Sequence, residues 1–116
     1  MSSQWNDLVA NNRKLSAVFQ QNHPRMLSAF SELNEAQTGT GKLDAKTREL
    51  ISLAVAVTTR CDGCIGSHAM AAVKAGASME EVSEALGVAI ALNAGAAYVH
   101  SLKALDAVGE FGAGAS

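Results

Sequence analysis

Four residues in this chain have the types and spacing that thiol chemistry needs: Cys61, Cys64, His68 and, twelve residues before the first cysteine, Glu49. Cys61 and Cys64 are the only 2 cysteines in 116 residues, and they sit three apart at the expected start of a helix. Residues three and four apart share a helix face, so two sulfurs and an imidazole stack over two turns. At a helix N-terminus the unpaired N–H groups and the dipole favour an anion, which makes a thiolate at Cys61 more accessible than in a free cysteine. Cys64 lies one turn further in, within reach of Cys61 for a disulfide after a modest rotamer change. Gly63 and Gly66 leave the backbone uncrowded for an approaching substrate. His68 is placed to exchange a proton with Cys64 or to hold a water against it.

Glu49 falls on the preceding segment, among apolar residues. A carboxylate in such a setting is costly unless it is paired, and His68 is its natural partner. In a helical hairpin turning at Thr59-Arg60, Glu49 and His68 do not meet by simple mirror pairing. Both nevertheless lie two to three turns from the bend, and a couple between them could relay protons to a cysteine. His23 and His100 have no companions of this kind and read as structural. Tyr98 reads as interface packing.

The elements that must position these residues are helical. Apolar residues make up 48 % of the chain and aromatics only 4 %, with much of the apolar content alanine. A core of that kind packs by close helix approach, and β-branched residues seldom cluster, so strands have little support. The fold class is therefore all-α, in a single domain spanning residues 1–116. Helical spacing runs from about Trp5 to Gln21, and Asn22-His23-Pro24 breaks it, with Pro24 suited to the first turn of the next helix. That helix extends to about Gln37, and Thr38-Gly39-Thr40-Gly41 is a loop. Asp44 caps a third helix reaching about Thr59. A fourth opens at Cys61 and ends near Gly76. Ser78 with Glu81 forms a capping box for a fifth helix running to about Val108, and residues 109–116 form a flexible tail.

The third and fifth helices are apolar nearly all round, and such helices must be buried on every side. A chain of this length cannot cover two of them, so one face of each is expected to meet another subunit. A formal charge of −2 predicts no electrostatic attraction to nucleic acid or to an anionic membrane. The most apolar stretch, Ala85 to Val99, is interrupted by Asn93 and is expected to fall short of a membrane span. The N-terminus lacks the basic start and apolar run of a signal peptide. These features predict a cytoplasmic protein, where a CxxC pair is redox-active or metal-binding rather than a permanent structural crosslink.

Glu49, Cys61, Cys64 and His68, with the flanks Leu43-Asp44-Ala45-Lys46-Thr47-Arg48-Glu49-Leu50-Ile51 and Gly76-Ala77-Ser78-Met79-Glu80-Glu81-Val82, resemble the signature of the alkylhydroperoxidase D-like branch of the carboxymuconolactone decarboxylase superfamily. The resemblance covers about residues 43–99. It implies an all-α fold built around an antiparallel helical hairpin and assembled as trimers or hexamers. It also implies a thiol-dependent peroxidase or thiol–disulfide oxidoreductase, in which Cys64 attacks the peroxide, Cys61 resolves the product, and Glu49 with His68 relays protons. An external dithiol or redox protein would serve as reductant, with no metal or flavin required. The type member carries a further histidine between the cysteines, where this chain has Asp62-Gly63. Three other readings compete: a carboxymuconolactone decarboxylase-like enzyme, a non-catalytic oligomeric binding module, and a zinc site using Cys61, Cys64, His68 and Glu49.

Overall fold

Each helix begins and ends where its local chemistry directs. The computed structural model describes residues 3–112, and it holds α1 (Gln4–Asn22), α2 (Pro24–Ala36), α3 (Ala45–Thr59), α4 (Asp62–Lys74) and α5 (Met79–Glu110). The Ser3 hydroxyl accepts from the Asn6 amide and starts α1. His23 closes α1 through its own N–H, which donates to the Phe19 carbonyl at 2.8 Å, and Pro24 then opens α2. The Asp44 carboxylate accepts from the Thr47 amide at 2.8 Å and caps α3. Ser78 and Glu81 form the expected reciprocal capping box at the head of α5, at 3.0 and 2.9 Å. Gly76, at φ +88°, takes the left-handed conformation that ends α4. The all-α class stands, in five helices.

The bend between α3 and α4 is tighter than most. Arg60 adopts the left-handed conformation at φ 57°, which a side chain with a Cβ reaches only at a cost. The reward is a closed helix end: the Cys61 N–H reaches back to the Ala56 carbonyl at 3.1 Å. Cys61 is consequently both the last residue of the bend and the N-cap of α4. The two helices fold back as an antiparallel hairpin.

α5 lies along α3 in the same direction. Lys46 of α3 pairs with Glu81 of α5 at 2.8 Å near their starts. Near the end of α3, Asn93 Nδ2 donates to Thr58 Oγ1 at 2.9 Å. α1 crosses α4 where the latter is thinnest, with the Gly66 Cα facing Val9 and Trp5. A Cβ there would lie 3.0 Å from Val9 Cγ2. α2 packs against α1 alone.

Little is buried by these contacts. Among the described residues the apolar core is Val9, Leu53, Ala56, Ala72 and Ala89. The accessible surface is 9115 Å², where a compact monomer of 11.9 kDa would show about 6,000 Å². The radius of gyration is 19.7 Å against about 13 Å for a compact chain of this length. Exposed apolar residues are found on every helix, among them the α1–α2 arm and the half of α5 beyond Asn93, where Tyr98 and Leu105 are 68 % and 70 % exposed.

Two sequence expectations need correction here. Gly109 and Glu110 belong to α5, so the helix outlasts Val108, because glycine near a helix end does not by itself stop it. Phe111 and Gly112 form a turn after it, and residues 113–116 of the expected tail lie outside the described residues. The second concerns the Ala85–Val99 run, which was expected to be too short for a membrane span. The helix that carries it continues past both ends and is long and apolar enough, by length and composition, to cross a membrane. Asn93 does not break it, because its side-chain amide is satisfied by the Ala89 carbonyl at 2.7 Å and by Thr58.

Candidate active site

All four residues singled out from the sequence converge on the α3–α4 hairpin. Cys61 and Cys64, with Cα atoms 5.2 Å apart, are joined as a disulfide, so the structure is of the oxidised form. The Cys64 amide donates to Cys61 Sγ at 3.2 Å, which places the first sulfur over the open N–H groups at the start of α4, as its N-cap position dictates.

His68 lies one turn beyond Cys64, and its Nδ1 is 2.7 Å from Glu49 Oε2. The carboxylate can only accept, so Nδ1 carries the proton and donates, which leaves Nε2 as the ring nitrogen free for chemistry. Both partners are partly covered, with 32 % of the His68 and 23 % of the Glu49 side chain exposed. The offset from mirror pairing is absorbed by the reach of the glutamate, and the Glu49–His68 bond forms across the hairpin.

A cleft of about 290 Å³ opens beside this couple. Cys64 and His68 form one side and Ile51, Ser52, Val55, Ala56 and Thr59 of α3 the other, with Gln37 at its edge. Cys61 and Glu49 are not among its lining residues. Of the four residues, Cys64 and His68 face the space a small molecule would enter, while Cys61 and Glu49 join them through the disulfide and the Nδ1–Oε2 bond. The hydroxyls of Ser52 and Thr59 are turned back onto the α3 backbone, donating to Arg48 O at 2.8 Å and Val55 O at 3.0 Å. The cleft wall is thus more apolar than its residue names suggest.

A tetrahedral zinc site would need the four donors to surround one point. Here the sulfurs are bonded to each other, and among the described residues no group of three or more His, Cys, Asp or Glu side chains is arranged to hold a metal. His23 stacks on Phe19, with ring centroids 6.3 Å apart and planes 6° from parallel, on the α1–α2 arm. The sequence reading passed over Gln37 and the apolar wall of Ile51 and Val55. Neither carries a spacing signal: Gln37 is one polar residue at a helix end, and the wall residues look like core.

Residues 24–107 match the carboxymuconolactone decarboxylase family, a span wider than the 43–99 that carries the signature. An uncharacterised protein of Haemophilus influenzae is 53 % identical over 107 residues, covering 92 % of this chain and 95 % of that protein. An uncharacterised protein of the cox locus of Paracoccus denitrificans is 43 % identical over 82 residues, 71 % of this chain and 74 % of that one. The crystal structure of an apo carboxymuconolactone decarboxylase family protein from Legionella pneumophila superposes with a TM-score of 0.75 at 37 % identity, covering 95 % of this chain and 98 % of that one. A Methanobacterium thermoautotrophicum protein superposes with a TM-score of 0.70 at 33 % identity, over 78 % and 98 % of the two chains. The chain belongs to the carboxymuconolactone decarboxylase family.

Proposed function

We propose that this protein is a thiol-dependent peroxidase that reduces hydroperoxides through the Cys61–Cys64 pair. The observation that carries the reading is the shared cleft: Cys64 and His68 line it together, and Glu49 holds the imidazole at 2.7 Å. In the reduced enzyme the Cys64 thiolate attacks the terminal oxygen of the hydroperoxide. The O–O bond breaks, an S–O bond forms, and the leaving alkoxide takes a proton from His68, whose imidazolium Glu49 stabilises. The Cys64 sulfenic acid then condenses with the Cys61 thiol, releasing water and giving the disulfide. An external dithiol or redox protein reopens it by thiol–disulfide exchange. Each cycle reduces one hydroperoxide to an alcohol and water and oxidises one dithiol.

The apolar wall of Ile51, Val55 and Ala56 suits an organic hydroperoxide, whose alkyl group would cover it. The need for a thiol reductant is consistent with a cytoplasmic location. A homo-oligomer, trimeric or hexameric, accounts for the surface in excess of a compact monomer. We assign the exposed face of α5 to subunit contact rather than lipid, because Asn93, His100, Lys103 and Asp106 are poorly suited to a bilayer.

The test is consumption of tert-butyl hydroperoxide by the reduced protein, with free thiols counted before and after. The expected result is loss of both thiols per hydroperoxide consumed and recovery on adding a dithiol. Persistence of two accessible thiols, or oxidation only to intermolecular dimers, would overturn the proposal.

A further inference from the structure

We infer that Gln37 is a substrate-positioning residue of the Cys64 cleft, its side-chain carbonyl accepting a hydrogen bond from the terminal O–H of the entering hydroperoxide. This rests on the peroxidase reading and adds to it a residue from outside the hairpin. α2 packs only against α1, yet Gln37, the residue that closes α2, lines the cleft with Cys64 and His68.

The geometry of the Gln37 amide is what points to an acceptor. Its Nε2 donates twice to Asn34, to the main-chain carbonyl at 2.8 Å and to Oδ1 at 2.7 Å. Both N–H groups are thereby directed at oxygens of its own helix end, which settles which end of the amide is nitrogen and restrains the side chain. Among the described residues Oε1 has no hydrogen-bond partner. The Ser52 and Thr59 hydroxyls donate to the backbone, so they have no hydrogen left to compete with the hydroperoxide for the Gln37 carbonyl.

An acceptor suits the chemistry. The hydroperoxide has one O–H, on the oxygen that Cys64 attacks. If Gln37 holds that hydrogen, the O–H stays with the oxygen that ends up in the sulfenic acid, and the second oxygen is left towards His68, which must protonate it as it leaves. The bond-forming and bond-breaking partners stay as described above, and Gln37 neither gains nor loses a proton. Its part is orientation, and a neutral hydrogen bond of this kind is expected to change reactivity by roughly three- to tenfold.

The experiment uses Gln37→Met, which keeps the length and removes the acceptor, alongside Gln37→Ala. In the reduced full-length protein, the rate of Cys64 oxidation by tert-butyl hydroperoxide is compared with its rate of reaction with methyl methanethiosulfonate, which has no O–H to donate. The inference expects both variants to lose roughly three- to tenfold with the hydroperoxide and to match the parent with the thiosulfonate. Equal rates with both reagents in parent and variants, or an equal loss with both reagents, would overturn it while leaving the peroxidase reading intact. A parent protein whose Cys64 reacts with the hydroperoxide no faster than free cysteine would overturn both.

Discussion

The α3–α4 hairpin and the outer half of α5 are both helical and rich in apolar residues, but they spend those residues differently. Within the hairpin Leu53, Ala56, Gly66 and Ala72 are buried while Ile51, Val55 and Val73 stay exposed, and the close approach lets Glu49 reach His68. The outer half of α5 turns its apolar residues to solvent, with Tyr98, Leu102 and Leu105 exposed along one stripe at i, i+4 and i+7. The hairpin makes its site contacts within the chain, whereas the apolar stripe on α5 is uncovered among the described residues. The difference teaches that the site geometry is set locally, by a tight bend and a few small residues, while the apolar surface of α5 is left over for the subunit contact proposed above.

The largest effect separating the two regions is expected at the outer stripe. Changing Leu102 and Leu105 together to Glu should remove two leucines from a subunit interface, at roughly 1.5–3 kcal/mol each when fully buried. Light scattering is expected to show a trimer or hexamer for the parent and smaller species for the double variant. A parent that is a monodisperse monomer binding no hydrophobic dye would mean the exposed surface needs no partner.

Next in size are the hairpin's proton-handling residues. His68→Gln and Glu49→Gln should each slow hydroperoxide reduction by about a hundredfold, typical of lost acid–base assistance, with helical circular dichroism and oligomer size unchanged. If either variant retains the parent rate, the relay is not part of the chemistry. A smaller effect is expected where α1 meets α4. Gly66→Val would push a side chain into Val9 and Trp5, which stand 3.0 and 3.4 Å from the position of a Cβ, and should cost about 1–3 kcal/mol by denaturant unfolding. Unchanged stability would show that α1 yields freely and does not brace the hairpin.

How much of this was legible in the sequence follows from where the constraints lie. Helix starts were readable because their signals are local: Asp44 and Ser78 with Glu81 bond amides three residues away, and Pro24 has the fixed φ and missing N–H that suit a first turn. The site was readable because Cys61, Cys64 and His68 share one helix by spacing alone. The Glu49–His68 bond was open to inference only from the cost of an unpaired carboxylate, since simple mirror pairing misses it. Gln37 was not legible, because its place at the cleft depends on how the α1–α2 arm returns through a loop of glycines. The end of α5 was placed two residues early because Gly109 looks like a stop, and Asn93 looked like an interruption of the apolar run until its hydrogen bonds are seen.

The smallest effect expected is electrostatic, at the tie between α3 and α5. The hydrogen bond from Lys46 holds the Glu81 carboxyl below its usual range, and the bond from Thr47 does the same for Asp44. The pairing with Glu81 raises Lys46. The two carboxylates' contribution to stability is therefore present above the ordinary carboxyl value near 4.5 and 3.8, and is lost as pH falls through their lower folded values. That of Lys46 is lost as pH rises above 10.5. Asp44 is exposed and Lys46 and Glu81 are open to solvent over more than a third of their side chains, so the effect should be slight and screened by salt. A Lys46→Met variant should show a melting temperature slightly below the parent at neutral pH in low salt, with the gap closing in high salt. A gap insensitive to salt would mean the lysine acts by packing.

The central claim is that the hairpin divides the two sulfurs into an attacking and a resolving thiol, and trapping the sulfenic acid tests it most directly. Reduced Cys61→Ser and Cys64→Ser proteins are each treated with one equivalent of hydroperoxide in the presence of dimedone, and the label is located by mass spectrometry. Cys64, which lines the cleft beside His68, is predicted to carry the label in Cys61→Ser, and Cys64→Ser is predicted to remain unlabelled. Label on Cys61 in Cys64→Ser, with none on Cys64 in Cys61→Ser, would contradict the assignment and make the helix N-terminus, rather than the histidine, the feature that selects the attacking sulfur.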